Sequence, residues 1–161
     1  MNNAKHSPTS RRKAGACPVH SQAAALCYRI HQNRPEILLI TTRRSGRWII
    51  PKGWPILGLS PSETAEREAW EEAGAVGRCD KKAMGRYTYI KHRSKKRTLL
   101  CEVDVFAMLV SSLASDFPES DERKREWCVP EKAALRVNSP ELSVLLRDFG
   151  QYPCQLLAGR A

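Results

Sequence analysis

The sequence lacks four features that mark familiar classes of protein. No apolar run reaches the roughly 18 residues of a transmembrane helix, so we expect no membrane span. The six cysteines form no CxxC pair and no metal-ligand spacing, which favours reduced cysteines in a core. No apolar stretch follows the basic residues near the start, so we expect no secretory signal and a cytoplasmic protein, with a mitochondrial presequence as the alternative. No internal repeat is present.

Basic residues outnumber acidic ones. The 161 residues include 27 Lys and Arg against 17 Asp and Glu, which gives a net charge of +10. Such a charge indicates an anionic partner, either a nucleotide, a polyphosphate or a nucleic acid. The length favours a single domain. We expect a disordered basic tail over 1–20, one folded domain over 21–152 and a C-terminal tail over 153–161.

A short helix with well-defined ends is predicted after a Gly- and Pro-rich loop. Ser60 and Glu63 form a capping box, with Pro61 at the first helical position. Gly74 provides a left-handed stop about three turns later. One face of this helix carries only small side chains, which lets a sheet approach closely: Ala65, Ala69 and Ala73.

Three carboxylates lie on the neighbouring face of the same helix. Glu68, Glu71 and Glu72 repel one another at these spacings by about 0.2–0.5 kcal/mol per pair. Mg²⁺ or Mn²⁺ would turn this repulsion into ligation, because hard cations prefer carboxylate oxygens. The alternative is an ordinary solvated acidic face.

The loop and the helix together resemble the Nudix box, G-x5-E-x7-R-E-U-x-E-E-x-G-U. The residues that match in register are Gly53, Arg67, Glu68, Glu71, Glu72 and Gly74. Leu59 stands where the box has its first glutamate. The resemblance implies an α/β fold, a Nudix-type α/β/α sandwich with a mixed β-sheet. It also implies an enzyme that hydrolyses a phosphoanhydride bond with a divalent metal.

The resemblance assigns a role to each matching side chain. Glu68 and Glu72, with the backbone carbonyl of Lys52, would hold Mg²⁺ (or Mn²⁺). Glu71 would deprotonate the attacking water, and Arg67 would orient Glu71 through a salt bridge. A further ligand or base is expected from the acidic loop that follows, where the choice stays open between Glu119, Asp121 and Glu122. Glu102 or Asp104 is a weaker alternative, since outward-facing strand residues are commonly acidic.

Segments outside the box resemble the diphosphoinositol and diadenosine polyphosphate hydrolase branch of the Nudix superfamily. They are residues 47–51, the Ala-rich first strand and residues 122–127. Residues implied to bind an anionic polyphosphate substrate are Arg43, Arg44, Arg47, Gly53, Lys96, Arg97, Arg123 and Arg125. Lys52-Gly53-Trp54 departs from the Gly-Gly-Gly of that branch. Trp54 is expected either to stack on a base or to pack the loop.

Hydrophobic patterns predict the remaining elements. Expected strands cover 22–30, 36–42, 48–50, 75–79, 84–92, 98–111 and 125–129, and later helices cover 130–137 and 139–149. Two alternatives to a small-molecule hydrolase stay open. An enzyme acting on the 5′ end of RNA would also suit the positive charge, and a non-catalytic Nudix-fold binding module would suit Leu59. No feature indicates an oligomeric state.

Overall fold

The computed structural model describes residues 17–154, 157 and 159. Of the eleven helices and strands in the described residues, eight are strands, which form one sheet with helices on both faces. In chain order the elements are β1 (Val19–His31), β2 (Arg34–Thr41), β3 (Trp48–Ile49), β4 (Lys52–Gly53), α1 (Pro61–Ala73), β5 (Ala75–Cys79), β6 (Gly85–Ser94), β7 (Arg97–Leu113), β8 (Arg125–Cys128), α2 (Pro130–Arg136) and α3 (Pro140–Phe149).

The sheet is mixed and is built around β1 and β7. These two long strands run parallel, whereas the other pairings are antiparallel. The main strand order is β3-β2-β1-β7-β5, with β4 beside β1, β6 beside β7 and β8 beside β2. A two-residue turn at Gln32 and Asn33, both with positive φ, joins β1 to β2, as expected for a tight hairpin.

Each face of the sheet has its own core. On one face, Ala65, Ala69 and Ala73 of α1 pack against strand residues such as Leu38 and Met108. On the other face, α2 and α3 cover a second cluster that includes Leu26, Val105, Leu142 and Phe149. This arrangement confirms the expected α/β/α sandwich with a mixed sheet.

Helix α1 has the ends that its sequence predicts. The hydroxyl of Ser60 accepts from the Glu63 N–H, and the Glu63 carboxylate accepts from the Ser60 N–H. Gly74 adopts φ 63°, and its N–H donates to the carbonyls of Ala69 and Trp70. A Cβ at Gly74 would lie 2.6 Å from the Phe117 ring, so the position requires glycine for space as well as conformation.

Both predicted tail boundaries are corrected by the structure. β1 begins at Val19, so Val19 and His20 belong to the sheet, and residues 1–16 of the expected basic tail lie outside the described residues. At the other end, Leu157 is buried in the core, and its carbonyl accepts from the Tyr28 hydroxyl at 3.0 Å. Strand β4 was not predicted, because two residues carry no hydrophobic period.

The helices of the described residues are short. The longest has 13 residues, and none of them combines the length and the hydropathy that a membrane crossing requires.

Candidate functional site

A cleft of about 1140 Å³ opens beside β4 and the last turns of α1. We call it the main cleft. Carboxylates of α1 form one side, and the turn after β2 forms another. Its lining comprises Gln22, Thr42, Arg43, Arg44, Ser45, Arg47, Ile49, Lys52, Gly53, Trp54, Pro55, Ile56, Glu68, Glu71, Glu72, Tyr89, Ile90, Lys91, His92, Glu119, Glu122 and Arg123.

Gly53 lets the loop lie directly against α1. A Cβ added at Gly53 would fall 2.2 Å from both Cδ and Oε1 of Glu68. Real Cβ atoms do not approach other atoms so closely, so only glycine fits while Glu68 keeps this position. The matching glycine of the box therefore has a steric role here, because the absence of a Cβ lets the Glu68 carboxylate lie against the loop.

Glu72 is almost fully buried and is held by two donors. Nη2 of Arg123 lies 3.1 Å from its Oε1, and the Lys52 N–H donates to its Oε2 at 3.2 Å. Arg123 also donates to the carbonyl of Thr41 at 3.0 Å. Burial raises the pKa of Glu72 to about 7, although the charges of Arg123 and Lys52 act in the opposite direction.

Glu68 and Glu71 are more open to the cleft. Burial raises the pKa of Glu68, and repulsion from Glu71 and Glu119 adds to the shift. The Glu71 side chain is 40% exposed, and its nearest cation is Nη1 of Arg67 at 3.9 Å. Such an exposed, long contact contributes little free energy. The predicted Arg67–Glu71 pair is therefore present but weak.

The carboxylates fit an open divalent-cation site. Among the described residues, no three His, Cys, Asp or Glu side chains come together as a closed metal site. Mg²⁺, however, is commonly held by one or two carboxylates, with waters and substrate phosphates as the other ligands. Glu68 and Glu72 keep free lone pairs, because an ionised carboxylate has about four acceptor sites. The ligand role predicted for the Lys52 carbonyl stays a prediction.

Three arginines after β2 provide positive charge opposite the carboxylates. Arg43, Arg44 and Arg47 all line the main cleft. Arg43 lies 3.2 Å from Glu119 and 3.7 Å from Glu122, so both glutamates of the late loop lie at the cleft. Planar guanidinium groups match phosphate oxygens, which makes this turn suited to a polyphosphate chain.

The structure places three predicted substrate-binding residues elsewhere. Nη1 of Arg125 donates to the carbonyl of Ala73 at 2.6 Å, and its guanidinium lies over Phe117, so Arg125 completes the C-terminus of α1 rather than lining the main cleft. Lys96 lies at the exposed turn between β6 and β7 and borders neither of the cavities described here. Arg97 borders a second, smaller cavity.

Two acidic candidates have structural partners, and a third lies away from the site. Glu102 and Asp104 both pair with Arg86, at 2.9 and 2.7 Å, which agrees with their interpretation as outward-facing strand residues. Asp121 is exposed and is absent from the lining of the main cleft. Of the three late-loop candidates, Glu119 and Glu122 therefore remain.

Gln22 and Tyr89 line the main cleft but were not predicted as site residues. The Tyr89 hydroxyl donates to Oε1 of Gln22 at 2.6 Å, and Nζ of Lys52 lies 4.8 Å from the Tyr89 ring centroid. Burial lowers the pKa of Lys52. The sequence signal was a polar Gln22 directly before the apolar run 23–28, which alone does not identify its partner.

Sequence comparisons give relatives of one family. Residues 20–149 match the model of the NUDIX domain. Nudix hydrolase 21, chloroplastic, of Arabidopsis thaliana is 31% identical over 121 residues, which cover 74% of this chain and 59% of that protein. Diphosphoinositol polyphosphate phosphohydrolase 3-alpha of Mus musculus is 35% identical over 112 residues, which cover 66% of this chain and 62% of that protein. The chain thus spans less than two thirds of these relatives.

Solved structures agree on the fold. A C. elegans Ap4A hydrolase in a binary complex is 22% identical, with a TM-score of 0.59, and the match covers 87% of this chain and 98% of that one. A NUDIX hydrolase from Nitrosomonas europaea is 19% identical, with a TM-score of 0.61, over 86% and 95% of the two chains. The family match covers 130 of 161 residues (20–149), and it includes the glutamates of α1. These findings confirm the resemblance to the Nudix family that was drawn from the sequence. The chain belongs to the NUDIX domain family.

Proposed function

We propose that the protein hydrolyses a phosphoanhydride bond of a nucleoside diphosphate-linked or polyphosphate compound, by attack of water assisted by Mg²⁺ or Mn²⁺. One observation carries the proposal: Glu68, Glu71 and Glu72 of α1 share a cleft with Arg43, Arg44 and Arg47. Relatives named as diphosphoinositol polyphosphate phosphohydrolases support it. The substrate is an anionic small molecule.

Each side chain of the cleft has a separate task in this reaction. The arginines bind the non-bridging phosphate oxygens and offset charge that develops during cleavage. Glu71, whose side chain is 40% exposed, accepts the proton of the attacking water. Glu68 and Glu72 would hold the cation, and Arg123 and the Lys52 N–H fix the orientation of Glu72. A bound divalent cation polarises phosphoryl oxygens and lowers the pKa of its water.

The test is the release of phosphate or nucleoside products from a panel of anhydrides, with Mg²⁺, Mn²⁺ or EDTA. The panel contains diadenosine polyphosphates, inositol pyrophosphates, nucleoside diphosphate sugars, nucleoside triphosphates and a 5′-triphosphorylated RNA. We expect metal-dependent turnover concentrated on one class. A folded, metal-binding protein that hydrolyses none of them would refute the proposal and favour the non-catalytic binding module.

A second candidate is hydrolysis at the 5′ end of RNA. The observation that favours it is the pairing of aromatic and basic side chains at the cleft, where Trp54 lies beside Lys91 and Tyr89 beside Lys52. Such pairs are typical of surfaces that bind single-stranded nucleic acid. Preferential turnover of the triphosphorylated RNA in the panel, with a steep dependence on salt, would select this candidate.

A further inference from the structure

A second hollow lies next to the main cleft, on the far side of Trp54. Its volume is about 340 Å³. The residues that line it are His20, Trp54, Arg93, Arg97 and Leu99. Trp54 lines both cavities, so the two adjoin at this side chain. None of the five lining residues is acidic, in contrast to the main cleft.

The Trp54 ring is surrounded by basic side chains. Nζ of Lys91 lies 5.0 Å from the ring centroid, and Cζ of Arg93 lies 5.7 Å from it. The His20 ring meets Trp54 edge-on, with 6.2 Å between the ring centroids. Cations are attracted to the faces of an indole ring at these distances. The geometry thus indicates that Trp54 holds basic side chains in place.

These cations lack acidic partners. Among the described residues, Lys91, Arg93 and Arg97 form no ion pair with a carboxylate, whereas Arg43 and Arg123 each pair with glutamates. Grouping unpaired positive charges around a hollow costs free energy through repulsion, which a bound anion would offset. Guanidinium groups match phosphate oxygens in particular.

We propose that the second hollow is a subsite for a distal phosphate, meaning a phosphate of the substrate remote from the anhydride that is cleaved. Arg93 and Arg97 would bind this phosphate, and Trp54 would act as a positioning residue for Lys91 and Arg93. The inference deepens the proposed function and rests on it. It selects substrates with phosphates on both sides of Trp54, such as a phosphorylated inositol or the 5′ end of an oligonucleotide. A dinucleoside polyphosphate would not fill the subsite, because its far end is an uncharged nucleoside.

Binding without turnover tests this subsite directly. Isothermal titration calorimetry would use inositol hexakisphosphate, which has no anhydride bond, and a 5′-monophosphorylated tetraribonucleotide. The variants are Arg93→Ala, Arg97→Ala, Trp54→Leu and Trp54→Phe. The matched control is Arg34→Ala, which removes the same charge from the exposed hairpin at the opposite end of β1 from His20.

We expect Arg93→Ala and Arg97→Ala each to weaken binding of one probe about tenfold or more, because each variant loses a charged hydrogen bond. The control Arg34→Ala should change the affinity for that probe less than about twofold. Trp54→Leu should weaken binding in the same way, while Trp54→Phe, which keeps an aromatic face, should largely restore it. Each of the two arginine variants should also lower the salt dependence of binding. The probe that responds identifies the source of the phosphate.

Equal effects of Arg93→Ala, Arg97→Ala and Arg34→Ala on both probes would overturn the subsite. A Trp54→Phe variant as weak as Trp54→Leu would overturn the positioning role. Because binding is measured without catalysis, the two proposals fail separately. A protein that hydrolyses no anhydride but shows the expected binding losses refutes the proposed function and keeps the anion site. Turnover with no arginine dependence refutes the subsite alone.

Discussion

Glu72 is the residue where burial and charge oppose each other most strongly. Its carboxylate has two donors, Arg123 and the Lys52 N–H, yet burial still raises its pKa to about 7. An ordinary glutamate has a pKa near 4.3 and is fully ionised at neutral pH. Glu72 in the metal-free protein therefore changes its protonation within the neutral range.

Metal affinity should consequently depend on pH between 6 and 8. Below a pKa of about 7 the folded protein holds a proton on Glu72, and a cation must displace it. With that pKa, affinity at pH 6 should be about tenfold lower than at pH 8, because the ionised fraction falls by about that factor. Titration of the protein with Mn²⁺ at the two pH values, followed by calorimetry, measures the change.

Glu72→Gln is the control for this dependence. The amide cannot ionise, so the variant should bind Mn²⁺ more weakly, and its affinity should vary less with pH. Wild-type affinity that is the same at pH 6 and pH 8 would show that Glu72 either ionises normally or does not ligate.

Glu71 is the residue assigned to proton transfer. Glu71→Gln should reduce kcat by about 100-fold or more, as expected for loss of a general base. The fold should be retained, because the side chain is 40% exposed and its ion pair with Arg67 is long. Steady-state kinetics on the best substrate of the panel, with a thermal melt of the same sample, separates the two effects.

Glu131→Gln, on the exposed first turn of α2, makes the same chemical change outside the cleft and should leave kcat unaltered. Undiminished turnover by folded Glu71→Gln protein would remove Glu71 from the mechanism and direct attention to Glu68.

At the scale of elements, helix α1 is the part that could be predicted most fully. Its capping box, its Gly74 stop and its alanine face are local signals, because each depends on residues within a few turns of one another. The buried side of the helix follows from the same spacing. Most of the strands could be found for a similar reason, since alternating burial has a local period.

The contacts that complete the site could not be predicted, because they join distant segments. Arg123 and Glu72 are 51 residues apart, and Arg125 reaches Ala73 across 52 residues. The resemblance to the polyphosphate hydrolase branch gave Arg123 and Arg125 the same expected role, although Arg123 lies at the cleft and Arg125 binds the Ala73 carbonyl of α1. Only the sheet order and the path of the late loop distinguish them.

The loop between β4 and α1 departs from the Nudix box at Leu59. Leu59 is partly buried, and its N–H donates to the Ile56 carbonyl at 3.1 Å within a turn. We expect Leu59→Glu to change stability or metal affinity more than catalysis, because Glu68, Glu71 and Glu72 already occupy the cleft. The measurement is kcat at saturating Mg²⁺, together with a thermal melt.

Leu57→Glu is the matched control, because Leu57 lies in the same loop, is fully exposed and receives the same charge. A rise in kcat of tenfold or more for Leu59→Glu but not Leu57→Glu, about 1.4 kcal/mol in the barrier, would show that this loop lacks a catalytic carboxylate.

Across the whole molecule, Arg123 joins three segments that are far apart in sequence. Its guanidinium contacts Glu72 of α1, the carbonyl of Thr41 at the end of β2 and Glu119 of the late loop. The Arg123 side chain is 7% exposed, so its ion pair with Glu72 is buried and also links separate elements. The geometry of the cleft therefore depends on a residue that also contributes to stability.

Arg123→Met should destabilise the metal-free protein at pH 8 by about 3–5 kcal/mol, because it leaves Glu72 buried without its cation. The loss should be smaller at pH 6. Without Arg123 the folded-state pKa of Glu72 lies still further above its unfolded value near 4.3. The folded protein then binds more protons than the unfolded chain, so its stability falls as pH rises. Urea denaturation in EDTA at both pH values measures this difference.

Two variants isolate the cause of that pH dependence. Arg125→Met removes a neighbouring guanidinium that is bonded to the Ala73 carbonyl rather than to a carboxylate, so its cost should not vary with pH. The double variant Arg123→Met/Glu72→Gln should also lose the dependence, because no ionisable group remains at the buried position. An equal loss of stability by Arg123→Met at pH 6 and pH 8 would mean that Arg123 stabilises the molecule through Thr41 and Glu119, and that Glu72 tolerates its charge without it.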